Sequence, residues 1–193
     1  MKAKEWESEC LEAFQHLSKQ KIATARRYGV MAIMDQNKQW RPVPSYPDIE
    51  GVVAPSGQQF VFDCKVCSGP SFPLSKLREE RKKQLNHMLE RSRFGAICFF
   101  AVYFNPHETT RDYQGESAWA FPVWQGHELW RDFAMGATST ISRLACAEYA
   151  HKIEWRIPKG CQKARPDMLE AIRAVAAMRE NDSNARTIEE ECF

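Results

Sequence analysis

Residues 96–104 read Ala-Ile-Cys-Phe-Phe-Ala-Val-Tyr-Phe, an unbroken apolar run rich in aromatic and branched side chains. The run is too short to span a bilayer as a helix. A strand with one face in water alternates apolar and polar residues, and this one does not, so it reads as a central strand covered on both faces. Its cover must come from elsewhere in the chain.

Amphipathic helices supply that cover. Residues 3–18 repeat Trp6, Cys10, Ala13, Phe14 and Leu17 at helical spacing. Glu7 lies at the edge of that stripe, on a row with Leu11 and Phe14, where it either meets solvent or leans into a cleft beside the core. A second helix is expected from Leu74 to Arg93, with Leu74, Leu77, Leu85, Met88 and Leu89 inward. Gln84 falls on the same inner face, and an amide there requires a buried polar partner. Pro166 is expected to open a last helix through Met168, Leu169, Ile172, Val175 and Ala176.

Between these, Ile22 to Met34 reads as one or two strands around Tyr28-Gly29, and 35–45 as a loop carrying Pro42 and Pro44. Ala118–Trp124 is a further strand, 126–134 and 138–149 short helices, and His151–Ile157 a final strand. Trp119, Trp124, Trp130 and Trp155 are expected to pack in the core rather than stack on bases. The chain of 193 residues fits a single domain over 1–180, followed by a polar, acidic and loose tail over 181–193.

Charge is nearly balanced, 27 basic residues against 25 acidic, so any affinity for nucleic acid depends on local clustering. Seven scattered cysteines, with no signal-peptide pattern and no membrane-length apolar run, point to a reduced, cytoplasmic setting. Cys64 and Cys67 form a Cys-x-x-Cys, but no second pair completes a zinc site and they read as ordinary strand cysteines. His87, His107, His127 and His151 are not at metal-ligand spacing. Neither a phosphate-binding glycine loop nor a Ser-His-Asp signature occurs.

The chemistry concentrates in Tyr46–Lys65. Two strands joined by Pro55-Ser56-Gly57 carry Asp48 at the start of the first and Asp63 and Lys65 near the end of the second. Alternation points Asp63 and Lys65 one way and Cys64 the other. Two carboxylates and an ammonium at one end of a hairpin suit a hard divalent cation such as Mg2+. Nearby, Lys76, Arg78, Arg81, Lys82 and Lys83 give the 74–93 helix a basic outer face. With Arg26, Arg27, Lys38 and Arg41 they either grip phosphates or form solvated surface.

A helical glutamate, an Asp after a loop, Asp-x-Lys on the next strand and an inward glutamine resemble the PD-(D/E)xK nuclease superfamily. Asp48-x-x-Gly51-Val52, Phe62-Asp63-x-Lys65, Ser71-Phe72-Pro73-Leu74 and Gln84-x-x-His87-Met88 resemble, in order, the blocks of RecU-type Holliday junction resolvases. The resemblance runs from Trp6-Glu7 to Ile157-Pro158-x-Gly160 and the last helix. It implies a restriction-endonuclease-like α/β fold with a mixed central sheet flanked by helices. It further implies Glu7, Asp48 and Asp63 around the metal, Lys65 as the motif lysine and Gln84 as the supporting amide. On that mechanism Mg2+, or Mn2+ in its place, sits between Asp48, Asp63 and the Cys64 backbone carbonyl, with Glu7 completing the set.

The implied substrate is a four-way DNA junction, whose near two-fold symmetry calls for a homodimer making paired nicks. Two intervals depart from the pattern. Ile22–Asp48, which carries a junction-entering protrusion in cellular members, is short here, and Leu74–Gln84 is long. A compact chain of this kind would suit a phage, working in the host cytoplasm. The alternatives are a related nuclease acting on duplex, flaps or ends, and a non-catalytic DNA-binding protein.

Overall fold

Ile97–Phe104 is a strand with every residue buried. The computed structural model describes residues 1–28, 32–34, 39–42, 47–74, 82–108 and 113–191, and all their side chains except those of 32–34, 40–42, 82–83, 108, 113–114 and 184–191. In chain order come helix α1 (Ala3–Lys19) and strands β1 (Ala23–Arg27), β2 (Ala32–Met34), β3 (Trp40–Pro42), β4 (Ile49–Val53), β5 (Gln58–Cys67) and β6 (Ser71–Pro73). Helix α2 (Lys82–Arg93) leads into β7 (Ile97–Phe104), β8 (His107–Glu108), β9 (Tyr113–Gln114) and β10 (Ser117–Pro122). The chain continues through α3 (Glu128–Ala134), β11 (Thr140–Ser142), α4 (Cys146–Tyr149), β12 (His151–Lys152), β13 (Trp155–Arg156), β14 (Arg165–Pro166) and α5 (Met168–Glu191).

Six strands make one sheet in the order β1-β4-β5-β7-β10-β12. Every neighbouring pair is antiparallel except β5 and β7. That parallel pair needs a crossover, and α2 lies in the connection. The result is the mixed central sheet flanked by helices that the sequence implied.

Alternation along β7 divides the core in two. Ile97, Phe99, Ala101 and Tyr103 pack with Trp6, Phe14, Phe62 and the Met168, Ile172 and Val175 stripe of α5. Cys98, Phe100, Val102 and Phe104 pack with Leu85 and Met88 of α2 and Leu129 and Trp130 of α3. Phe62 and Phe99 stack at 4.9 Å between centroids and 12° between planes. Trp6 is fully buried, and its indole N–H donates to the Ala101 carbonyl at 2.8 Å, which pins α1 to the middle of the sheet.

Several elements differ from expectation. Residues 138–142 do not begin a helix, because Thr140–Ser142 pairs with Ser71–Pro73, and only Cys146–Tyr149 of that stretch is helical. The expected strand His151–Ile157 is two short pieces, Lys152 pairing with Trp119 and Trp155 with Pro166. Trp40–Pro42, within the expected loop, pairs with Ala32–Met34. The second helix is described from Lys82, and 75–81 lie outside the described residues. The last helix starts at Met168, where the Asp167 carboxylate accepts from the Glu170 N–H at 3.1 Å and caps it. It runs to Glu191, through the stretch expected to be loose, and Asp182 on it accepts from the Trp124 indole N–H at 2.7 Å. Among the described residues no helix is long and apolar enough to cross a membrane.

Candidate active site

The hairpin of β4 and β5 is built with a deliberate mismatch in length. Their antiparallel register ends at Ile49 opposite Phe62, whereas β5 continues beside β7 to Cys67 opposite Phe104. From Asp63 onward one edge of β5 therefore has no strand along it from β4. Asp48 occupies that edge, and its Oδ2 accepts from the Cys64 backbone N–H at 2.8 Å. The N–H and C=O of a strand residue leave on the same edge, so the Cys64 carbonyl also opens toward Asp48. The carbonyl of Asp48 accepts from Tyr28 N–H at 2.9 Å, which extends the β1–β4 ladder by one rung and fixes the residue.

Asp63 and Lys65 share the α2 side of β5, as alternation requires, while Cys64 packs with Trp6 and Cys10 on the α1 side. The two side chains form an ion pair through Lys65 Nζ and Asp63 Oδ2, 8% and 0% exposed respectively. Lys65 Nζ also donates to Gln84 Oε1 at 3.3 Å, so the inward glutamine of α2 has the buried polar partner its position demanded. The Phe100 ring lies 5.8 Å from the same Nζ. Beyond the ion pair, neither Asp63 oxygen has a hydrogen-bond partner among the described residues. A desolvated carboxylate in that state is strongly unfavourable unless positive charge offsets it. Lys65 supplies that charge.

Glu7 approaches from α1. Its Oε1 pairs with Arg27 Nε at 2.6 Å, and its side chain is 20% exposed. Burial, then the neighbouring Cys10 thiol, then the Asp48 and Glu7 carboxylates push the Cys64 thiol well above its ordinary range. Asp48 thus meets β5 at its edge and Glu7 belongs to α1, while alternation turns Asp63 to the opposite face of the strand from Cys64. Among the described residues no three His, Cys, Asp or Glu side chains converge closely enough to hold a metal as they stand. The donor chemistry nevertheless fits a hard cation, because the Asp63 and Asp48 carboxylates and the Cys64 carbonyl all offer oxygen.

Of the basic residues expected to meet phosphate, Arg26 pairs with Glu50 at 2.6 Å and Arg27 with Glu7. Lys38, Lys76, Arg78 and Arg81 lie outside the described residues; Arg41 lies on β3 and Lys82 and Lys83 on α2, with undescribed side chains. Sequence reasoning missed Phe100 beneath Lys65. Only the β5–β7 register, which sets Asp63 opposite Phe100, singles that ring out from its neighbours. It also missed that Arg27 holds Glu7.

A family model described as RecU, recombination protein U, matches residues 20–157. The chain belongs to the RecU family. The matched span holds Asp48, Asp63, Lys65 and Gln84, with Glu7 just before it. RecU membership implies a nuclease that acts on DNA in recombination. Among solved structures, the chain is similar to Hjc of Archaeoglobus fulgidus, a Holliday junction resolvase from an archaeal hyperthermophile, at 15% identity and a TM-score of 0.42. That similarity covers 75% of this RecU-family chain and 94% of Hjc. No curated protein matches the sequence.

Proposed function

We propose that this RecU-family chain is a Mg2+-dependent endonuclease that resolves four-way DNA junctions by paired, symmetric nicks, acting in the cytoplasm as a homodimer whose nuclease domain spans 1–180. The observation that carries the reading is the buried Asp63–Lys65–Gln84 array on the edge of β5 where Asp48 is anchored.

Asp48, Asp63 and the Cys64 backbone carbonyl are the oxygens that would hold Mg2+, or Mn2+ in its place, with Glu7 completing the acidic set. When bound, such an ion neutralises the scissile phosphate and makes a water more acidic. Lys65 keeps its ammonium beside Asp63 and under the Gln84 amide, where it orients the attacking water and offsets charge that builds on the phosphate. Gln84 holds Nζ in place. Arg27 holds Glu7. The Cys64 thiol faces the core and stays protonated, and no other nucleophilic side chain belongs to this set, which favours attack by water over a covalent intermediate.

Phosphate contacts from Arg26, Lys38, Arg41, Lys76, Arg78, Arg81, Lys82 and Lys83 would give salt-dependent affinity without base specificity, while Arg27 is engaged by Glu7. A two-fold dimer matches the symmetry of the junction. The deciding assay compares nicking of a four-way junction with nicking of linear duplex built from the same arms, in Mg2+ and in EDTA. Cleavage confined to the junction and to Mg2+ is expected; equal cleavage of the linear arms points to a nuclease of other DNA.

A further inference from the structure

The sheet face that carries Asp63 and Lys65 continues beyond them as an open groove. Ala23 and Ala25 of β1, Ile49 and Val53 of β4, and Phe60 and Phe62 of β5 pack toward α1. Alternation therefore turns Thr24, Arg26, Glu50, Val52, Gln59 and Val61 to the other face, with Asp63. The register sets them in rows, Arg26 opposite Glu50 opposite Val61, then Thr24 opposite Val52 opposite Gln59. Helix α2 runs alongside these rows. Gln84 near its start meets Lys65, and Arg91, about two turns on, donates to Gln59 Oε1 at 3.0 Å.

Thr24, Arg26, Glu50, Val52, Gln59 and Arg91 line a space of about 480 Å3, enough for a guest of nucleotide size. Its charge is set by a simple balance. Glu50 is the one acid among the described residues lining it, and Arg26 neutralises that carboxylate with two guanidinium nitrogens at 2.9 and 2.6 Å. Arg91 meets a neutral amide instead, so the groove keeps one net positive charge at that end. His87, edge-on to the Tyr28 ring at 6.1 Å, adds none at neutral pH, because burial and then the Arg91 charge hold its imidazole below the usual range. Val52, 39% exposed, gives the floor an apolar surface against which a sugar or base can lie. Gln59 is four residues from Asp63, about 13 Å along β5. An anion held by Arg91 is therefore a neighbour of the phosphate being cut and not that phosphate itself.

We propose that this groove carries the cleaved DNA strand away from the cut, with Arg91 on a flanking phosphate and Val52 beneath the adjoining nucleotide. The inference rests on the reading of β5 as the cleaving edge and adds a strand path to it. Gln59 holds the guanidinium at the groove without cancelling its charge. A backbone contact of this kind positions the strand and reads no sequence.

The test measures affinity for a four-way junction in EDTA, where no cut is needed, with methylphosphonate replacing one phosphate at a time on either side of the branch point. Arg91→Ala is expected to weaken binding of the unmodified junction about tenfold and to lower the slope of log affinity against log salt by about one. Arg91→Lys keeps the charge and is expected to recover that slope. In the parent, one replaced phosphate costs about as much as Arg91→Ala does, and at that position the variant loses nothing further. Unchanged affinity and salt slope in the folded Arg91→Ala chain, or equal losses by the two chains at every replaced phosphate, overturn the strand path. Nicking in Mg2+ is scored separately: a phosphate coupled to Arg91 on a junction that the parent does not nick upholds the groove and counts against the nuclease reading.

Discussion

Lys65 Nζ and Asp63 Oδ2 meet as an ion pair with both side chains buried, two residues apart on the same face of β5. Removing either partner leaves a lone buried charge, which costs about 3–5 kcal/mol. Lys65→Met is therefore expected to lower unfolding free energy by about that much in EDTA. Added Mg2+ shrinks the loss, because a cation on Asp63 replaces the missing ammonium. Urea denaturation with and without Mg2+ measures both terms, and a loss of equal size in the two conditions speaks against Asp63 as a metal ligand.

Gln84 meets the site with its Oε1 on Lys65 Nζ at 3.3 Å. Gln84→Ala is expected to slow junction cleavage by about 10–100-fold while leaving junction affinity unchanged, since it frees the lysine without removing a ligand. Single-turnover cleavage beside a gel-shift titration separates the two effects.

Arg27 and Glu7 form a 2.6 Å ion pair, so the arginine acts through the glutamate. Arg27→Ala and Glu7→Gln are each expected to slow cleavage at least about tenfold, and the double variant to be no slower than Glu7→Gln. Additive losses would mean that Arg27 contacts DNA independently. Arg26, 80% exposed and paired with Glu50, serves as a control whose removal changes stability by less than about 1 kcal/mol.

Gly51 lies opposite Ala25 in the β1–β4 ladder. A methyl group there would lie 2.1 Å from the Thr24 carbonyl oxygen and 2.3 Å from Phe60 Cζ. The carbonyl belongs to the β1–β4 ladder and cannot turn aside, so Gly51→Ala is expected to cost about 1–3 kcal/mol or more. Because that ladder continues through Tyr28 to the Asp48 carbonyl, cleavage should fall along with the melting temperature.

How far the sequence could carry the reading follows from the range of each interaction. Alternation and a short turn are local, and they place β4, β5 and the shared face of Asp63 and Lys65 without any tertiary contact. The same holds for β7, whose apolar run has one reading, and for Gln84, whose inward position called for a polar partner. Thr140–Ser142 was illegible because its pairing partner lies about seventy residues earlier and neither strand has its own periodic signal. The last helix starts after Asp167 rather than at Pro166, because Asp167 with Glu170 three residues on forms a capping pattern that outweighs the proline. The Arg27–Glu7 pair joins a strand to a helix whose relative placement depends on the packed core, and no local pattern encodes it.

The central claim is that this strand edge cuts branched DNA, and Asp63→Asn tests it most directly, with Mg2+-dependent nicking and junction affinity measured on the same preparation. Nicking should disappear while affinity for the four-way junction stays within about twofold of the parent, because a neutral amide removes the metal-holding charge and leaves the basic phosphate contacts intact. Cleavage at the parent rate by the folded Asp63→Asn chain would contradict the site.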